Sequence, residues 1–197
     1  MINESQLRHA LTHTTVTSAT DDHGVPRAAV AAVARERGSD VEFLFIERAT
    51  KDGDPWSGQM AFPGGRVDPV DVDLNATAER ETHEEVSLDI FGAERLGRLD
   101  DLEGGRAQRR RIIVSAHVYW IGADDPLLTP NYEVADTIWV PSGVLLDRTN
   151  YEDFSWHLVP DQTFPSIRVG PDGKVIWGLT LRLLEDLFDR LGHALLP

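Results

Sequence analysis

Arg80, Glu81, Glu84 and Glu85 are the residues whose types and spacing most directly suggest chemistry in this chain. In a helix over residues 76 to 86, the three carboxylates stand at i, i+3 and i+4 and share an arc of about 100°. Like charges at that spacing repel, more strongly once they are partly desolvated, so the arrangement calls for a positive partner. Ala78, Thr82 and Val86, spaced by four, form the arc predicted to pack inward; Glu81 and Glu85 border it, and Glu79 and His83 point away. Carboxylates at the edge of a core suit a hard divalent cation, Mg²⁺ or Mn²⁺, which binds through a few carboxylates together with phosphate oxygens of a substrate. Taken alone, the same residues also fit an ordinary acidic surface helix.

The elements that must position this helix can be read in order along the chain. Residues 3 to 12 predict a short amphipathic helix capped by Asn3 or Ser5, with Leu7 and Leu11 on one side. Ala28 to Arg35 and Val41 to Arg48 predict a β-hairpin around Arg37-Gly38-Ser39-Asp40. A loop over Lys51 to Gly58 and a short extended piece, Gln59 to Phe62, lead to Pro63-Gly64-Gly65. The two glycines allow the backbone to turn tightly and approach a ligand, although a plain turn would look the same. Asp73 or Asn75 can cap the acidic helix.

Beyond it, Arg95 to Leu102 and Arg111 to Ile121 predict strands joined by a basic, Gly-containing turn. Arg106, Arg109, Arg110 and Arg111 could reach phosphates there, but charged turn residues are more often simply solvated. His117 reads as a packed strand histidine. Glu133 precedes a strand at Asp136 to Val140 and could swing in as a metal ligand or a base. A short helix at Pro141 to Leu146, a polar connection at Asp147 to Val159, a hairpin around Pro171-Asp172-Gly173 and a core helix at Leu179 to Leu191 complete the chain. Mixed strands, hairpins and helices predict an α/β fold, a mixed sheet covered by helices. Residues 1 to 24 are expected to belong to the same single domain as residues 25 to 197.

Composition narrows the functions. A formal charge of -14 argues against a nucleic-acid or anionic-membrane surface, while leaving room for a polyanion held by metal and local arginines. The absence of cysteine excludes disulfides and thiolate chemistry. Residues 1 to 20 lack an apolar signal core, so a cytoplasmic protein is expected.

The order strand, Gly-Gly loop and helix bearing Arg-Glu-x-x-Glu-Glu resembles the Nudix hydrolase family. Its signature is Gly, five residues, Glu, seven residues, then Arg-Glu-U-x-Glu-Glu-x-Gly-U, where U is aliphatic. Gly65, Arg80, Glu81, Glu84, Glu85 and Leu88 match, whereas Asp71 stands for the upstream Glu, its spacing to Arg80 is one residue longer, and Ser87 stands for the late Gly. A closer resemblance is to the coenzyme A pyrophosphatase branch, through Leu44, Arg48, Ala49, Gly58, Phe62, Pro63, Gly64 and Gly65, and later through 164 to 187. Gly53 and Asp54 occupy the place of an Arg expected in that branch.

The resemblance implies an α/β/α sandwich around a mixed β-sheet and a metal-dependent pyrophosphohydrolase. It implies Mg²⁺ or Mn²⁺ on Glu81, Glu84, Glu85 and the Gly64 carbonyl, with Arg80 orienting the carboxylates and Glu133 as a further ligand or general base. Arg48 and Phe62 become substrate contacts. The expected substrate is a small nucleoside diphosphate derivative, coenzyme A or its derivatives first and ADP-ribose-like compounds second, with a homodimer as a possible assembly. A Nudix-fold module that binds nucleotide without turnover is the alternative from another class, and the intact carboxylates favour the enzyme.

Overall fold

Two apolar runs separated by Arg37-Gly38-Ser39-Asp40 begin the sheet. In the computed structural model, which describes residues 1–19, 24–105, 111–170 and 172–195, they form β1 (Arg27–Arg37) and β2 (Asp40–Arg48), with Gly38 at φ 65° in the turn. The two strands pair only near that turn, from Arg37 opposite Asp40 to Ala34 opposite Phe43. They then part. β2 pairs along its length with β8 (Val134–Pro141) and at its end with β3 (Met60–Ala61), while β1 takes β4 (Gly64–Arg66) at Ala28 to Val30. The other edge of β1 runs parallel to β7 (Ile112–Trp120), which carries β5 (Glu94–Arg98) and β6 (Leu102–Gly104) antiparallel. The result is a mixed eight-stranded sheet.

Period-two alternation on β1 divides the core between two layers. Ala29, Ala31 and Val33 pack with Ala78 and Val86 of α2 (Leu74–Val86). Ala28, Ala32 and Ala34 belong to the opposite layer, with Leu7 and Leu11 of α1 (Glu4–Thr12) and Leu183, Leu184, Leu187 and Phe188 of α4 (Gly178–Arg190). The short side chains of β1 let helices lie close on both faces, which makes an α/β/α sandwich. Full burial of each large apolar side chain of α4 contributes about 1.5–3 kcal/mol.

α2 begins at Leu74 rather than residue 76. Asp73 is its N-cap, accepting from the Ala76 N–H at 2.8 Å, and Asn75 instead accepts from the Tyr119 hydroxyl at 2.7 Å. At the far end Ser87 adopts the left-handed conformation, φ 56° and ψ 25°, where the family pattern has Gly. Its hydroxyl donates to the Thr129 carbonyl. The N–H groups of Thr129 and Asn131 donate to the carbonyls of Val86 and Glu85, so the following loop satisfies carbonyls that a helix end leaves open.

Two sequence expectations change. Residues 95 to 102 do not form one strand: pairing with β7 shifts register between Arg95 and Gly97, and the chain leaves the sheet before β6. The connection 147 to 159 contains β9 (Tyr151–Ser155), which joins β10 (Thr163–Arg168) and β11 (Val175–Trp177) in a second, three-stranded sheet. Its polar residues hid it, because this edge strand keeps an exposed face. A short α3 (Ser142–Leu146) starts after Pro141. Pro171 of the expected hairpin turn, and Arg106, Arg109 and Arg110, lie outside the described residues. Among the described residues, no helix is long and apolar enough to cross a membrane.

Candidate active site

The Gly64-Gly65 strand passes directly over the carboxylates of α2. A Cβ on Gly65 would stand 2.4 Å from the Glu81 carboxyl carbon, and one on Gly64 would stand 2.4 Å from the Ala29 carbonyl oxygen. Gly64 requires glycine, since its Cβ would run into backbone at φ 151°, whereas a Cβ on Gly65 would force the Glu81 carboxylate to move. The Gly64 N–H donates to Glu85 Oε2 at 2.9 Å, which fastens this backbone to the helix. Gly65→Ala is expected to displace Glu81 and lower turnover at least tenfold while the circular dichroism spectrum stays native; unchanged turnover would count against a role for Glu81 at this backbone.

Arg80 organises the acidic face. Its Nε and Nη2 form a bidentate pair with Asp71 at 2.8 and 2.9 Å, and its Nη1 donates to Glu81 at 3.0 Å and Glu84 at 3.2 Å. Asp71 also accepts from the Thr77 hydroxyl and the Asp68 N–H, both at 2.8 Å; Arg80 foremost, with these two donors, holds its carboxyl well below the usual carboxylate range. The orienting role expected for Arg80 thus has a clear geometric basis, with Asp71 as an anchor that motif spacing had marked only as a departure. The longer spacing is absorbed in the 68–73 turn, which folds Asp71 back onto the helix.

Arg48 ends β2 and lines a cleft of about 450 Å³ together with Lys51, Asp54, Tyr132 and Glu133. Its Nη2 donates to Asp54 at 3.0 Å, and its Nε is buried with no hydrogen-bond partner. Glu133 is exposed and brought beside it by the Ala49 N–H, which donates to the Glu133 carbonyl at 2.8 Å. The pairing of Arg48 with Asp54 escaped the sequence reading, which treated Asp54 only as a replaced Arg. Phe62, expected as a substrate contact, is 2% exposed and stacked on Phe45 at 4.8 Å in the core. The apolar match at this motif position serves packing. His117 is buried, as expected of a packed strand residue, with both ring nitrogens unpartnered, and burial pushes it down to about 4. Arg111 pairs with Glu103 at 2.6 Å.

Glu85 is the most perturbed carboxyl of the site. Burial raises it to about 8; Glu81 and Glu133 add to the rise, and the Gly64 N–H and Arg48 oppose it. Glu81 is raised as well, chiefly by burial. In the metal-free protein a carboxyl raised in the folded state favours folding below its unfolded value and loses that contribution as pH rises through about 8. Stability is expected to fall by about 2 kcal/mol between pH 6 and pH 8.5. For a chain of this size that corresponds to a Tm lower by about 4–8 °C. Thermal melts with chelator should show this slope, Mg²⁺ should flatten it, and a metal-independent melt would overturn it.

The donor chemistry fits a hard cation, since Glu85 is a buried carboxylate with one N–H partner and with Glu81 and Glu133 as charged neighbours. As the side chains stand, no three acidic or histidine residues among the described ones are gathered closely enough to hold a metal. The reason is visible: Arg80 draws Glu81 and Glu84 toward itself.

A mixed sheet between helix layers, with an acidic helix locked under a Gly-Gly strand, defines an α/β/α protein that displays carboxylates beside a cleft. Residues 25–162 match the family model described as NUDIX domain, and the chain belongs to that family. It is similar to the Nudix hydrolase NudL of Yersinia pestis (strain Pestoides F) and of Yersinia pseudotuberculosis serotype O:1b (strain IP 31758). Each is 30% identical over 133 residues, covering 66% of this chain and 63% of the relative. The match therefore spans less than two thirds of the length of these curated relatives.

Among solved structures, a MutT/nudix family protein from Enterococcus faecalis aligns over 98% of this chain and 75% of its own, with TM-score 0.60 and 14% identity. A NUDIX hydrolase from Alicyclobacillus acidocaldarius aligns over 65% and 83%, with TM-score 0.52 and 22% identity. The NUDIX domain of Shewanella oneidensis NrtR, complexed with ADP ribose, aligns over 72% and 85%, with TM-score 0.50 and 16% identity. At such identities these likenesses establish the fold.

Proposed function

We propose that this protein is a divalent-metal-dependent hydrolase of the diphosphate linkage in a nucleoside diphosphate derivative, with coenzyme A or its derivatives as lead substrate. The observation that carries the reading is the buried Glu85, bound to the Gly64 N–H and raised by burial and by the charges of Glu81 and Glu133. Membership of the Nudix family supports the reaction class. The match of Arg48, Ala49, Gly58 and Phe62-Pro63-Gly64-Gly65 to the coenzyme A pyrophosphatase motif supports the substrate.

Glu81, Glu84, Glu85 and the Gly64 carbonyl would hold Mg²⁺ or Mn²⁺. When bound, such an ion neutralises diphosphate charge and acidifies water for attack at phosphorus. The chain supplies the rest. Arg80, braced by Asp71, sets the directions of Glu81 and Glu84; Gly65 leaves space for the Glu81 carboxylate; Arg48 binds a phosphate oxygen in the cleft; and Glu133 accepts the proton of the attacking water. The exchange of an Arg for Gly53-Asp54 puts a carboxylate next to Arg48, so ADP-ribose-like compounds form the second reading. The ADP ribose held by the similarly folded NrtR domain favours them.

Incubation with Mg²⁺ or Mn²⁺ and coenzyme A, ADP-ribose, NADH, diadenosine polyphosphates and nucleoside triphosphates tests the proposal by product analysis. Cleavage at a diphosphate of coenzyme A is the expected result. Binding without product from any compound would instead favour a non-catalytic nucleotide-binding module.

A further inference from the structure

Glu133 stands exposed in the turn that leads into β8, and a glutamate in such a place ordinarily has no fixed position. Here the turn is fastened. Upstream, the Thr129 N–H donates to the Val86 carbonyl at 2.9 Å, and Pro130 stiffens the backbone between that bond and Asn131. Downstream, Val134 enters the sheet in register with Arg48. Between them the Ala49 N–H holds the Glu133 carbonyl at 2.8 Å.

Asn131 makes the remaining bonds, and it makes them to both acids. Its N–H donates to the Glu85 carbonyl at 2.8 Å, its side-chain oxygen accepts from the Glu133 N–H at 2.7 Å, and its carbonyl accepts from the Val134 N–H at 3.3 Å. The last two bonds close an Asx turn inside a β-turn, with Tyr132 and Glu133 as the central residues. A single residue thus joins the backbone that carries the buried carboxylate to the backbone that carries the exposed one. Their side chains are close enough to interact: burial first, and the charge of Glu133 in addition, raises both Glu85 and Glu81.

The bonds of Asn131 separate by origin. An aliphatic side chain at this position would keep the backbone bonds to Glu85 and Val134 and lose the side-chain bond to Glu133. The loop would stay tied to the helix end, while the turn would lose the contact that sets the direction in which Glu133 leaves the backbone.

We propose that Asn131 is a positioning residue for hydrolysis: by bridging the Glu85 carbonyl and the Glu133 N–H, it fixes the backbone from which Glu133 reaches the proton of the attacking water. The proposal rests on the hydrolase reading above and on the role given there to Glu133. It adds the residue that puts Glu133 in place.

Steady-state kinetics on the full chain, with Mg²⁺ and the compound of the panel that the parent cleaves fastest, test it through a double-mutant cycle. Asn131→Ala should lower kcat about tenfold to a hundredfold, the cost of displacing a reacting group by about 1 Å, and leave KM within about twofold. Asn131→Asp should recover most of kcat, because a carboxylate oxygen accepts from the same N–H. In a Glu133→Gln background, Asn131→Ala should change kcat by less than about twofold, since no base is left to misplace. A merely structural role would give the same drop in both backgrounds; that result, or an aspartate variant as slow as the alanine one, would overturn the proposal. Should Asn131→Ala fail to fold, Asn131→Ser, with its shorter and weaker acceptor, supplies the same cycle. Full kcat in Glu133→Gln would overturn the role of Asn131 while leaving the hydrolase reading in place. A parent without turnover on any compound would overturn that reading and this role together.

Discussion

Glu85→Gln is expected to lower kcat/KM by about two to four orders of magnitude while leaving the protein folded, since charge stabilisation at such centres is worth several kcal/mol. Glutamine keeps the shape and can still accept from the Gly64 N–H, so the backbone contact at 2.9 Å survives. What disappears is the charge. The same substitution should remove the loss of stability on raising pH, because the carboxyl lifted by burial to about 8 is then absent. The two readouts move in opposite directions: activity falls, and the metal-free Tm above pH 8 rises. Steady-state rates with saturating Mg²⁺ and melts with chelator check both. An undiminished rate would sink the mechanism proposed for this site.

Arg80→Ala should be the most destabilising single change on the acidic face. Asp71 has a side chain only 3% exposed and its charge is matched by the bidentate Arg80 pair. Truncating one partner of such a pair strands a buried charge, at a cost of about 3–5 kcal/mol. For a chain of this size the Tm should drop by roughly 10 °C. Turnover should fall as well, since Glu81 and Glu84 lose the group that sets their direction. Arg80→Lys is expected to recover only part of either loss, because one ammonium cannot span both Asp71 oxygens and reach Glu81. Differential scanning calorimetry decides the first claim. A Tm within a degree or two of the parent would mean that Thr77 and the Asp68 N–H suffice to hold Asp71.

The i, i+3, i+4 carboxylates and the inward arc of Ala78, Thr82 and Val86 were legible because helical geometry alone positions them. Ser87, where the motif has Gly, takes the left-handed conformation that glycine favours at a helix end. At Phe62 the motif gave residue type and not the direction of the side chain, and the ring lies on Phe45 in the core. β9 was missed because an exposed edge strand carries polar residues on its outer face and lacks the apolar run by which strands are recognised.

Local periodicity and motif spacing therefore determined the acidic helix, its cap region, the Gly-Gly approach and the Nudix resemblance, since each depends on neighbours within a few residues. Tertiary structure decided which carboxylates are buried and which stay wet. Burial of Glu85, with its rise to about 8, comes from β4 crossing the helix. It also decided that Asp71 braces Arg80, that Asp54 holds Arg48, and that Asn131 joins Glu85 to Glu133. Those pairings join residues by strand order and loop path, and desolvation depends on everything packed around a group, which no local spacing encodes.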